Sequence, residues 1–205
     1  MDCAFNKFEN WTLPVPKEGP IVHQRLRALT LGHGSQSENL IDYITLPALS
    51  SFSLRLYWVD MWGLGSLRAF LLRSGTLKTI EIHISAISTY QLPRLLRLLP
   101  KLTELSIKGD IMEPFGDSLF ESLTYYEGLE GLPLCPELRA ITFGGCLGSK
   151  QDTIAKMLLS RCCLESSRPR IARLQKVAIF RNGLCMMQRR QIEAIQDYGL
   201  DVTFI

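Results

Sequence analysis

Three histidines, six cysteines and one pair of glutamates are the residues of this 205-residue chain from which chemistry would be built. His23, His33 and His83 have no second His or Cys at ligand spacing, and H-E-x-x-H is absent, so no metal is expected. Cys3, Cys135, Cys146, Cys162, Cys163 and Cys185 include one adjacent pair and no C-x-x-C, which is neither a redox motif nor a zinc frame. Gly32-His33-Gly34 and Phe143-Gly144-Gly145-Cys146 carry glycines but lack G-x-x-x-x-G-K-[ST] and G-x-G-x-x-G, so they read as backbone turns at strand ends rather than phosphate cradles. G-x-S-x-G is missing too; Gly63-Leu64-Gly65-Ser66 reads as a helix entry with Ser66 as N-cap. Glu81 and Glu104 fall on neighbouring expected strands but one site out of step, so they stand diagonally, as solvated residues rather than an acid–base pair. Neither an enzymatic activity nor a cofactor is expected.

The bulk numbers agree with a binding role inside the cell. A hydrophobic content of 46% with 21% charged residues is that of a folded chain, and a net charge of +3 is too small to imply nucleic acid or an anionic membrane. The first residues, MDCAFNKFENWTLPVPKEGP, contain no apolar core of a signal peptide, so free thiols in the cytoplasm and/or nucleus are expected. No apolar run approaches the roughly 18 residues of a membrane span.

Repetition supplies the elements that position the charged residues. Leu26/Leu29/Leu31 has the form L-x-x-L-x-L, and the form returns at Leu49/Phe52/Leu54, Leu77/Ile80/Ile82, Leu102/Leu105/Ile107, Leu138/Ile141/Phe143 and Leu174/Val177/Ile179, with starts 23, 28, 25, 36 and 36 residues apart. Three starts share a proline junction, at Leu46-Pro47-Ala48-Leu49, Leu99-Pro100-Lys101-Leu102 and Cys135-Pro136-Glu137-Leu138, where Pro stops the preceding helix. Between the triplets lie helical spacings, at Leu67/Phe70/Leu71, Leu92/Leu95/Leu96/Leu99, Leu119/Leu123, Ile154/Met157/Leu158 and Ile192/Ile195. The cycle of strand, helix and Pro or Gly predicts an α/β leucine-rich-repeat solenoid of about six repeats with a parallel concave sheet over residues 23–205. Gly199–Ile205 reads as a last half-repeat strand. Residues 1–22, rich in proline, are expected to be an irregular N-terminal segment or a partial cap. The ninth repeat positions, Gly34, Tyr57, Ser85, Asp110, Cys146 and Asn182, keep the usual Asn or Cys only in the last two, so the repeats are degenerate.

In such a repeat the apolar triplet faces the core and the residues flanking its second and third members face the concave sheet. That face is expected to be small and polar, with Arg55, Glu81, His83, Glu104, Lys108 and Lys176 as candidate protein contacts. Tyr57, Trp58, Met61 and Trp62 cluster after the second strand and are read as packing over the end of a degenerate repeat or as binding anchors. The last third holds Arg161, Arg168, Arg170, Arg173, Lys176, Arg181, Arg189 and Arg190, read as a solvated convex edge; the alternative is a nucleic-acid-associated protein that binds through them.

The segments LPALSSFSL, LLRSGTLKTIEIHI, LPRLLRLLPKLTELSI and LPLCPELRAITF, in that order, resemble the leucine-rich C-terminal region of mushroom-type fungal F-box proteins, over residues 22–205 and most clearly between Leu46 and Phe143. The resemblance implies a substrate receptor of a cullin–RING ubiquitin ligase, in which an N-terminal F-box docks the adaptor and the repeats present substrate. Trp11-Thr-Leu-Pro14-Val-Pro16 is too short and too proline-rich to be that three-helix motif, so adaptor docking is expected only with an F-box upstream. The expected partner is an unidentified protein substrate.

Overall fold

Alternating apolar and polar residues make a strand that buries one face, and in this chain the alternation recurs once per strand–helix cycle. The computed structural model describes residues 2–5, 19–32, 37–55, 64–74, 76–83, 91–109, 116–126, 133–144, 151–163, 171–180 and 186–205. Ten strands and six α-helices lie among them: β1 (Asp2–Phe5), β2 (Ile21–Val22), β3 (Ala28–Leu31), α1 (Ser37–Tyr43), β4 (Ile44–Thr45), β5 (Ser51–Leu54), α2 (Leu64–Arg73), β6 (Thr79–His83), α3 (Leu92–Leu96), β7 (Glu104–Lys108), α4 (Asp117–Leu123), β8 (Ala140–Gly144), α5 (Gln151–Cys162), β9 (Lys176–Ile179), α6 (Met186–Ala194) and β10 (Asp201–Phe204). The fold is α/β. Eight strands form one parallel sheet in the order β1-β3-β5-β6-β7-β8-β9-β10, and β2 and β4 form a small second one. Strand order therefore follows chain order, and the sheet does not close into a barrel.

All six apolar triplets are buried, and the register stacks them into columns. One runs Leu29–Phe52–Ile80–Leu105–Ile141–Val177–Val202, and the next Leu31–Leu54–Ile82–Ile107–Phe143–Ile179–Phe204. A slip of one residue would turn a whole column to the other face, so burial holds the register. The intervening positions are only half-buried or exposed, as the alternating patterns of β3, β5, β6, β7 and β9 show. Parallel sheets covered on both faces carry near-continuous apolar strands instead. Among the described residues this sheet is therefore covered on one face, by helices such as α2 and α4, whose Phe70 and Phe120 rings pack 5.5 and 5.4 Å from Phe52 and Phe143.

The proline junctions do more than end helices. In each one the N–H of the first triplet leucine (Leu49, Leu102 or Leu138) bonds the carbonyl three residues earlier (Leu46, Leu99 or Cys135) at 3.0, 3.2 and 3.0 Å, with Pro as the second residue of the turn. That is where a locked φ suits a tight turn. The residue after that leucine then builds a backbone column. The carbonyls of Arg27, Ser50, Lys78, Thr103 and Arg139 each accept two successive N–H groups from the residues that lead into the next strand of the sheet, at 2.8–3.1 Å.

Arg161 is a correction to the sequence reading of a solvated basic edge, because it is wholly buried. Its Nε donates to the Leu123 carbonyl at 2.8 Å, Nη1 to Cys135 at 2.9 Å and Nη2 to Leu134. The guanidinium thereby caps the C-terminus of α4 and holds the turn at Cys135, whose φ of 49° is costly for a side-chain-bearing residue. Burial lowers the Arg161 pKa to about 10, so it stays charged at neutral pH. Arg73 of α2 repeats the device at the end of α1, three helices earlier, its Nε bonding the Ile44 carbonyl at 3.0 Å and Nη2 that of Ile41.

Three further readings change. Ser66 lies inside the first turn of α2 rather than capping it, since the helix starts at Leu64. Gly144 is the last residue of β8, within the strand rather than in a turn after it. Asp2–Phe5 within the 1–22 segment is a strand, paired with β3. The ninth repeat positions, and the cluster at Tyr57, Trp58, Met61 and Trp62, lie outside the described residues.

Replacing Arg161 by Met keeps the stem and leaves three buried carbonyls without their donors. The expected cost is about 3–5 kcal/mol, read as a lower urea midpoint at unchanged slope. An unchanged midpoint would mean that the cap is dispensable.

Candidate functional site

The open sheet face is a lattice of short side chains, and its charges gather on its middle strands. Thr30, Ser53, Glu81, Ser106, Thr142, Ala178 and Thr203 stand in one row across the sheet, so Glu81 is the one large charged residue in a stripe of hydroxyls and methyls. Two residues further along β6 and β7, on the same face, His83 and Lys108 are in register. Arg55 follows β5 and donates its backbone N–H to the Leu31 carbonyl at 2.8 Å, which holds it at the same level.

These four side chains form one network. Glu81 Oε1 accepts from Lys108 Nζ at 2.8 Å, lies 3.2 Å from Arg55 Nη2 and 3.6 Å from His83 Nε2. Glu81, His83 and Lys108 are 21%, 18% and 33% exposed and Arg55 is 49%, so the network is half sunk in the sheet and reachable from solvent. Burial raises the Glu81 pKa, but the hydrogen bond and charge of Lys108, joined by Arg55, outweigh it, and the carboxyl is held below its ordinary 4.5. Burial, helped by the Lys108 and Arg55 charges, holds His83 below its ordinary 6.5 against the pull of Glu81. At neutral pH the cluster is two cations, one carboxylate and a neutral imidazole, one positive charge in excess.

Gly144 makes room for this arrangement. A Cβ there would stand 3.1 Å from Lys108 Cγ and 3.2 Å from Phe180 Cδ2, so the bare backbone lets the lysine stem and the phenylalanine ring close over it. Phe180 thus edges the cluster, a role that its own residue type does not announce. Sequence reasoning took Arg55, Glu81, His83 and Lys108 as separate anchors; the structure brings them together. It leaves Glu104 and Lys176 outside. Glu104 pairs in register with Thr79, whose hydroxyl lies 3.4 Å from Glu104 Oε2, and Lys176 is two strands away across Ala140.

Within the network Lys108 is engaged by Glu81, and a carboxylate already shared by two cations is a weak base. Elsewhere the thiols of Cys135 and Cys162 are pushed up to about 12, by burial first, and so stay protonated at neutral pH. His23 Nδ1 accepts the Leu26 N–H at 3.1 Å, a local turn contact. Among the described residues no cluster of three or more His, Cys, Asp or Glu is placed to hold a metal, and no helix is long and apolar enough to cross a membrane.

The C-terminal basic residues do not gather into one patch among the described residues. Arg161 is buried, Arg173 Nη2 donates to the Tyr198 carbonyl, and Arg189 pairs with Glu193 at 2.8 Å beneath the Phe204 ring. Lys176 and Arg190 are exposed, while Arg168, Arg170 and Arg181 lie outside the described residues. No protein-family model, curated protein or solved structure matches the chain.

Both depressed pKa values have the same sign of effect on stability. Stability contributed by His83 is full above 6.5 and is lost as pH falls toward its lower folded value; that of Glu81 is full above 4.5 and is lost as pH falls through its folded value. His83→Gln should therefore flatten the pH–stability profile just below 6.5, and Glu81→Gln should flatten it below 4.5, by urea unfolding across the range. Profiles parallel to the parent protein would refute the network.

Proposed function

We propose that this chain is a leucine-rich-repeat solenoid segment of about six strand–helix repeats that holds a protein partner on its open sheet face. The observation that carries the reading is the Glu81 network. A half-buried carboxylate keeps an arginine and a lysine side by side on an otherwise small, polar and uncovered sheet, and both cations retain donors beyond those that Glu81 uses. Such a surface suits an acidic side chain of a partner, which would meet pre-positioned donors and lose little entropy on ordering them. The sequential order of parallel strands, the in-register apolar columns and the repeated two-for-one carbonyl contacts support the repeat architecture. The resemblance of residues 22–205 to fungal F-box proteins supports a more specific role, substrate recognition for a ubiquitin ligase, with adaptor docking left to an F-box joined upstream. The chain acts in this reading by binding, without catalysis or cofactor.

Affinity purification from cells with the parent chain and with Arg55→Glu/Lys108→Glu tests the reading, with circular dichroism to establish equal folding. One or more proteins retained by the parent and depleted about tenfold or more by the variant are expected, a loss of about 1.4 kcal/mol. Identical partner lists would exclude the sheet face as the binding surface.

A further inference from the structure

The helical side of the molecule carries a second concentration of positive charge that the sheet-face reading does not use. A cleft of about 500 Å³ is lined by Gly65 and Arg68 of α2 and by Arg94, Leu95, Arg97 and Leu98 of α3 and the turn after it. Arg94 and Arg97 are three apart, so they share one side of this turn, and both line the cleft with Arg68. Leu95 is buried and Leu98 half-buried, and they form an apolar floor. A Cβ on Gly65 would meet nothing within 4 Å, so the cleft is open there.

All three arginines are exposed, and among the described residues none makes an ion pair or a side-chain hydrogen bond. That separates them from Arg55, Arg73, Arg161, Arg173 and Arg189, each of which is held by a carbonyl or a carboxylate. Three guanidiniums around one cavity repel one another, and nothing described at the cleft offsets the repulsion. A single carboxylate would leave two of the three unmatched. Clustered phosphates match them, because guanidinium forks bind phosphate oxygens in pairs. The volume is that of a small-molecule site rather than of an extended groove.

We propose that this cleft binds a soluble small molecule carrying two or more phosphate groups, held by Arg68, Arg94 and Arg97 over Leu95 and Leu98. The site is independent of the partner-binding reading, since it shares no residue with the sheet face.

Isothermal titration of the full chain with inorganic tripolyphosphate at physiological ionic strength tests the proposal. Saturable one-to-one binding is expected, weakened about tenfold or more by Arg97→Gln and by Arg68→Gln. Arg190→Gln, which removes one exposed charge from α6, should change affinity by less than about twofold. Three results would overturn it: no saturable binding, equal losses in Arg97→Gln and Arg190→Gln, or displacement of tripolyphosphate by a short DNA duplex at lower phosphate concentration. The last would make the cleft part of a nucleic-acid surface.

Discussion

One backbone contact underlies the rest of the structure. A carbonyl just before each of five successive strands, from Arg27 to Arg139, accepts two N–H groups from the residues that lead into the strand that follows. Both lone pairs of that oxygen are used, so the next strand can start at only one height. Once the height is set, Leu29 must face Phe52, Phe52 must face Ile80, and so on to Val202. The apolar columns then close one side of the sheet, and the opposite side is left as a lattice on which charges meet. The Glu81 network follows from that register: Arg55, Glu81 and Lys108 are brought together from three neighbouring strands by their pairing.

Arginine serves opposite purposes on the two sides of the core. Arg161 and the half-buried Arg73 reach from one helix to carbonyls at the end of the previous one, and the cost of desolvating them is offset by three and two charge-assisted hydrogen bonds respectively. They replace the glycine caps that helices of this kind often use. Where the sheet is open, Arg55 is instead tied by a single carboxylate and keeps half its surface in water. The same residue type is a structural cap in one environment and a presented donor in the other, and burial alone separates them.

What could be read from the sequence divides along physical lines. The six triplets and five of the helices were legible because each is a periodic apolar pattern within a dozen residues. Helix α1, strand β1 and the small β2–β4 sheet were not; β2 is exposed and β4 only half-buried, so that pair leaves no apolar pattern to read. The concave position of Arg55, Glu81, His83 and Lys108 followed from alternation, but their union did not. Residues 26 or 27 apart in sequence meet only if the register across coils is known, and register is a property of pairing. Arg161 was misjudged for a related reason: three carbonyls from one turn and one helix end, invisible as residue types, make its burial tolerable. Gly144 was misjudged because its missing Cβ serves neighbours on the strands either side, rather than its own backbone.

Strand order that never departs from chain order has a mechanical corollary. Each main-sheet strand is hydrogen-bonded only to its predecessor and successor, so cohesion passes along the stack like tension along a row of links. Among the described residues β6 and β7 have at least three strands on either side, whereas β1 and β10 each have a single neighbour. The Glu81 network is thus carried by the strands most enclosed by others.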